Sequence, residues 1–99
     1  MEQPHELTVE VFSDTTNAWI IRTPGRRFPA VVIQGDSLSI LCDLAEKIVR
    51  EASPLTNNTE LQDAAVELRD SLVDRLQSYE SALIARGMQL PYTRRLGNG

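Results

Sequence analysis

Histidine and cysteine are almost missing from this chain, which holds one of each, His5 and Cys42. A lone cysteine excludes an internal disulfide. One His and one Cys cannot build a structural zinc site within a single chain. Nucleophilic catalysis usually needs a positioned base, most often histidine, and His5 sits in a polar start expected to be loose. Cys42 falls between Leu38 and Ala45 at helical spacing, where a free thiol packs as a small hydrophobe. Neither a P-loop nor a dinucleotide fingerprint occurs. The Gly35-Asp36-Ser37 junction does not replace them, because the Asp36 carboxylate itself occupies the place of an anion. No apolar run approaches the ~20 residues that span a bilayer. Residues 1–6 have neither the basic nor the apolar stretch of a secretory leader. These absences predict a cytoplasmic chain that is not an enzyme, with no catalytic residue, cofactor, metal or membrane partner.

Basic charge is also scarce. Ten Lys and Arg face fourteen Asp and Glu, for a net charge of −4. Nucleic-acid binding needs a basic footprint, so no nucleic-acid partner is expected. Three of the ten, Arg22, Arg26 and Arg27, form a purely basic cluster, while residues 1–21 carry acids alone.

What is present is a single domain's worth of chain, 99 residues with 41% apolar and 24% charged residues, ordinary values for a folded domain. A chain this short buries only ~60–70% of its unfolded surface, and association is a common supplement. Residues 1–99 read as one domain, with 1–5 and 96–99 expected to be flexible. Leu7, Val9 and Val11 alternate with polar residues, as in a half-buried strand. Residues 13–17, Ser-Asp-Thr-Thr-Asn, favour a turn. Ala18-Trp19-Ile20-Ile21 reads as a second strand, and Pro24-Gly25 suits the centre of a type II turn. Ala30-Val31-Val32-Ile33 is apolar on both faces, which predicts a central or doubly covered third strand. Short loops between the strands favour antiparallel pairing.

Two helices follow. Asp36 is a candidate N-cap for a helix over residues 36–52, stopped by Ser53-Pro54. Thr59 and Gln62 match a capping box at the start of a helix running over residues 59–86, with Gly87 as its C′ residue. Leu61, Ala65, Leu68, Leu72, Leu76, Tyr79 and Leu83 fall three or four apart and predict one apolar face. At ~1.5 Å per residue this helix is roughly 40 Å long, against a radius of gyration of about 13 Å for a domain of this size. Leu90-Pro91-Tyr92 is expected to fold back onto the body. The expected fold is α+β: a three-stranded antiparallel sheet followed by two helices, the second long (βββαα).

Asp63, Glu67, Asp70 and Asp74 form an acidic stripe offset by two residues from the leucines. Like charges at i,i+4 give no local benefit, so the stripe is either a solvated face or a docking surface for a basic partner. A carboxylate metal site on it lacks the histidines of the di-iron bundle pattern. Two helices cover one face of a three-stranded sheet. Its other face still shows some of Phe12, Trp19, Ile20, Ile21, Val31 and Ile33, and an open apolar face is a liability or an interface, unless the long helix and the tail close the core between them. Trp19, Tyr92, Arg26 and Arg27 join the stripe as candidate partner-binding residues, because aromatics and arginine dominate interface hot spots.

The run from Pro24-Gly25-Arg26-Arg27-Phe28-Pro29 through Ala30-Val31-Val32-Ile33-Gln34 to Gly35-Asp36-Ser37-Leu38 resembles one in a family of small uncharacterised bacterial proteins. The later Arg86-Gly87-Met88-Gln89-Leu90-Pro91-Tyr92 is similar to that family's ending. The resemblance spans most of residues 7–92 and implies a bacterial cytosolic protein, with no activity and no functional residue attached. Three functions are left to weigh. The first is a non-enzymatic interaction module that self-associates as a homodimer through its long helix, its sheet face or both. The second is an immunity-type or regulatory protein that binds a basic protein partner. The third is a small enzyme or ligand-binding domain using Arg22, Arg26 and Arg27.

Overall fold

The computed structural model describes residues 4–93. In chain order it contains β1 (Glu10–Ser13), β2 (Ile20–Arg22), β3 (Ala30–Val31), α1 (Gly35–Ala52), a 3-10 turn at Ser53–Leu55, and α2 (Thr59–Ala85). The architecture is α+β, a three-stranded antiparallel sheet followed by two helices with the second long, as the pattern predicts. The chain clusters into two compact units, Met1–Gln34 and Gly35–Gly99. Residues 1–3 of the expected loose start, and Leu96-Gly97-Asn98-Gly99 of the expected loose tail, lie outside the described residues.

In the first unit β2 is the middle strand. Glu10 pairs with Arg22 and Val11 with Ile21, and the register then slips so that Ser13 faces Ile20. On the other side Ile20 pairs with Val31 and Ile21 with Ala30. The Pro24-Gly25 turn is formed as expected: Gly25 has φ +80° and the Arg26 N–H donates to the Thr23 carbonyl at 3.2 Å. A positive φ at that position is what type II geometry requires.

Two readings of this unit are corrected. The third strand is an exposed edge of two residues, neither central nor doubly covered. Short connections make sequence neighbours into space neighbours, and that puts β2 in the middle however apolar residues 30–33 are. The first strand starts at Glu10, and Leu7 stays outside the ladder, 67% exposed.

The second unit is an antiparallel helical hairpin. Leu38 and Cys42 of α1 pack with Leu76 of α2, bordered by Leu72, Val73, Tyr79 and Tyr92. Nearer the connection Arg69 meets Glu46 at 3.4 Å, and the Gln62 amide reaches the Ser53 carbonyl at 3.4 Å. Rising numbers on one helix meet falling numbers on the other, so the two run in opposite directions. Ser53-Pro54 ends α1 in a 3-10 turn. At the far end of α2, Gly87 (φ +72°) donates to Ile84 O at 3.0 Å and Met88 donates to Leu83 O at 2.9 Å. These are the two bonds of a Schellman cap.

Two helix starts differ from expectation. α1 begins at Gly35, and Asp36 Oδ1 accepts only from the N–H of its neighbour Ser37, at 2.9 Å. α2 is capped by Asn58, whose Oδ1 accepts from the Leu61 N–H at 3.0 Å. Gln62 does not reach back to Thr59. Its amide donates to the Thr56 carbonyl at 2.7 Å and ties the connector down. Asn and Thr are both good caps, and the extended backbone of Asn58 takes the role.

The leucine stripe is corrected as well. Leu61 and Leu68 are each 52% exposed. The partly or wholly buried track of α2 runs through Gln62, Ala65, Arg69, Leu72, Leu76, Glu80 and Leu83. That track averages about 3.5 residues per turn, the spacing of helices that coil around each other. Leu61 and Leu68 each precede a track position by one residue, a rotation of about 100°, and so fall on its flank.

Candidate functional site

The sheet presents the first candidate surface. Strand alternation puts Val9, Val11, Trp19, Ile21 and Val32 on one face, where they line a cleft of about 300 Å³. Val32 reaches this place because its N–H donates to the Trp19 carbonyl at 2.8 Å, prolonging the β2–β3 ladder. Trp19 is 45% exposed there. The opposite face carries Phe12 and Val31, both exposed, with Ile20 between them.

The basic cluster is an aromatic-arginine arrangement beside that sheet. Arg22 Nε and Nη2 both meet Glu10 Oε1 at 2.7 Å, across a register pair. The Arg22 guanidinium lies over the Phe12 ring at 5.3 Å and donates to the Arg27 carbonyl at 3.3 Å. The hydrogen bond and charge of Arg22 hold the Glu10 carboxyl below its ordinary pKa, and Glu10 in turn raises that of Arg22. Arg27 lies over Phe28 at 5.3 Å. Arg26 is exposed beside the turn. The three arginines do not converge on the apolar cleft: Arg22 is spent on Glu10 and Phe12, and Arg27 on Phe28.

On α2 the acidic stripe is as the spacing predicts. Asp63, Glu67, Asp70 and Asp74 are all exposed and border a shallow groove of about 510 Å³ with Val66, Ser71 and Arg75. Arg69 bonds Asp70 at 3.0 Å, and that bond, foremost, raises the Arg69 pKa. Arg75 turns back to the Ser71 carbonyl and hydroxyl at 3.0 and 2.7 Å. It therefore does little to neutralise Asp63, Glu67 or Asp74. Among the described residues no group of three or more His, Cys, Asp or Glu is placed to hold a metal ion.

Tyr92 does fold back. Its hydroxyl donates to Glu80 Oε2 at 2.8 Å and its ring joins the hairpin core. Glu80 is only 4% exposed, and a carboxylate so placed needs hydrogen-bond partners. Cys42 is fully buried, and burial, with Asp43 and Glu80 adding to it, pushes its thiol above the ordinary value. That fits the inert packing role expected of it.

Two features are absent from the sequence-based expectations. Glu80 looks like a surface acid, yet it sits four residues after Leu76 on the 3.5-residue track, and that spacing was the available signal. The other is an apolar flank on the hairpin. Leu44, Ile48, Ala52 and Leu55 border a groove of about 420 Å³, with Leu44 52% and Ile48 51% exposed. The broad apolar face of α1 is visible in the sequence, but which part of it remains open depends on how α2 lies against it.

No helix among the described residues is long and apolar enough to cross a membrane. A family model described as a family of unknown function (DUF6959) matches residues 4–92. The chain belongs to this family, which accords with the resemblance carried by residues 24–38 and 86–92. No curated protein and no solved structure matches it.

Proposed function

We propose that this chain is a non-enzymatic interaction module of the bacterial cytosol that self-associates as a homodimer. The observation that carries this reading is the imbalance of its apolar surface. Among the described residues the buried apolar side chains are Leu38, Cys42, Ala45 and Leu76, while Phe12, Trp19, Val31, Leu44, Ile48, Leu61 and Leu68 are 45–57% exposed. Clustered apolar surface of that kind marks interaction sites in folded proteins. A helix of 27 residues, about 40 Å long, offers a continuous rail for a partner. Sedimentation velocity across the micromolar range tests the proposal. A species of about twice 11.1 kDa is expected. A monomer throughout, with a cooperative unfolding transition, would rule self-association out.

A second reading rests on the acidic face. Asp63, Glu67 and Asp74 are exposed and have no ion-pair partner among the described residues. This suits an immunity-type or regulatory protein that docks a basic protein, because complementary charge speeds encounter and rejects wrong partners. Glu67→Lys combined with Asp70→Lys abolishes salt-sensitive capture of such a partner. Capture unaffected by both changes removes this reading.

A further inference from the structure

We infer that the surface used in self-association, on the reading just proposed, is one flank of the helical hairpin, and that its occupant is the same flank of a second copy, giving a four-helix bundle. The placement follows from helix geometry. Leu41 and Ile48 each precede a position facing α2, namely Cys42 and Val49. Leu61 and Leu68 each precede a position facing α1, namely Gln62 and Arg69. Each offset is about 100° in the same rotational sense. Because the two helices run in opposite directions, equal offsets bring both pairs to one side of the hairpin. Leu41, Ile48, Leu61 and Leu68 are 40–52% exposed there, and Leu44 and Leu55 extend the patch along the outer groove of α1.

The seam between the helices is already served. It holds Arg69 bonded to Glu46 and the buried Glu80 covered by Tyr92. The hairpin is thus satisfied along its seam, while this flank is apolar and open.

Size decides among occupants. α1 has 18 residues, about 27 Å of helix, and two helices side by side are about 20 Å across. The flank therefore spans about 540 Å². Two copies face to face bury about 1,100 Å², which clears the roughly 1,000 Å² expected of a specific interface. The paired strands of 4, 3 and 2 residues span only about 140 Å², about a quarter of that flank. A second copy matches the flank in both length and width. The groove's rim carries one charge of each sign, Lys47 and Glu51, which the same patch turned about a two-fold axis can complement. Two antiparallel hairpins packed this way give the common layout of a four-helix bundle.

The test is sedimentation equilibrium on the full chain and three variants, with far-UV circular dichroism as the check on folding. Ile48→Glu and Leu68→Glu each place a charge in the proposed interface, and twofold symmetry counts each change twice. We expect the dissociation constant to rise by about 100-fold or more with helicity retained. Val31→Glu, on the exposed sheet edge, is expected to leave the dimer intact. Should either hairpin variant lose helicity, Ile48→Ala replaces it, with a rise of about 10-fold expected. Dimers untouched by the hairpin changes, and above all dimers dissolved by Val31→Glu, overturn the hairpin interface while leaving self-association standing. A native chain that is monomeric at every concentration overturns both.

Discussion

Gly35 opens α1 with Tyr79 so close that a β-carbon on it would overlap Cζ, Cε2 and Oη of the ring. Its backbone is outside the left-handed region, where among the described glycines only Gly25 and Gly87 lie. Alanine therefore suits the main chain at this position, and the effect of Gly35→Ala is steric. Two opposing magnitudes set the outcome. Alanine in a helix is worth up to about 1 kcal/mol over glycine. Overpacking a filled site costs about 1–3 kcal/mol, and Tyr79 cannot yield freely because it borders the Leu38–Cys42–Leu76 cluster. The expected net result is a loss of about 1–2 kcal/mol, read in urea as a midpoint lowered by about 1 M for a slope in the usual 1–3 kcal/mol/M range. The melts are run at one protein concentration, because association adds to apparent stability. Tyr79→Leu supplies the control. With the ring gone, Gly35→Ala becomes neutral or mildly stabilising, and the double-mutant cycle returns a coupling of about 1–3 kcal/mol. An alanine that is harmless in the native background, or equally harmful in both, would refute the close approach as the reason for glycine here.

Asn58→Ala removes the side-chain cap on α2 and is expected to lower stability by about 1 kcal/mol in thermal or urea melts, whereas Thr59→Ala changes it far less. Equal losses would return the cap to Thr59. Glu10 has a lowered pKa, so whatever stability its pair with Arg22 adds is present above the ordinary carboxylate value and fades as pH falls through the lowered one. A carboxyl NMR titration of Arg22→Gln should show Glu10 moving back up, and an unchanged midpoint would deny the pairing. The Cys42 thiol is raised, so its contribution is intact below the ordinary thiol value and is lost as pH climbs toward the raised one. A thiol reagent should modify Cys42 slowly in buffer and rapidly in concentrated urea. Equal rates would contradict its burial.

Local chemistry made part of this fold legible. Pro24-Gly25, Ser53-Pro54 and Gly87-Met88 each fix backbone geometry within a few residues, and each acts where its chemistry says it should. Readings that failed needed information from outside the window. Residues 30–33 look central because they are apolar on both faces, yet strand order was decided by loop length. Leu61 and Leu68 fit a 3.6-residue stripe as well as Leu72 and Leu76 do. Only the lie of α1 tells which of two adjacent tracks is the seam. The same ambiguity hid the open flank of the hairpin: its four leucine and isoleucine side chains come from two helices whose relative rotation no single periodicity encodes. Trp19 and the acidic stripe were visible because each is conspicuous in one segment. Glu80 was not, since its burial depends on Tyr92 returning twelve residues later.

Both rims of the little sheet are built to refuse another strand. On one rim the register slips between Val11 and Ser13, and a bulge twists such a rim away from flat pairing. On the other, β3 offers two residues behind Pro29, which has no N–H to give. An apolar sheet with bare rims would be open to stacking through its backbone. With that route blunted at each end, whatever meets this sheet must be held by side chains.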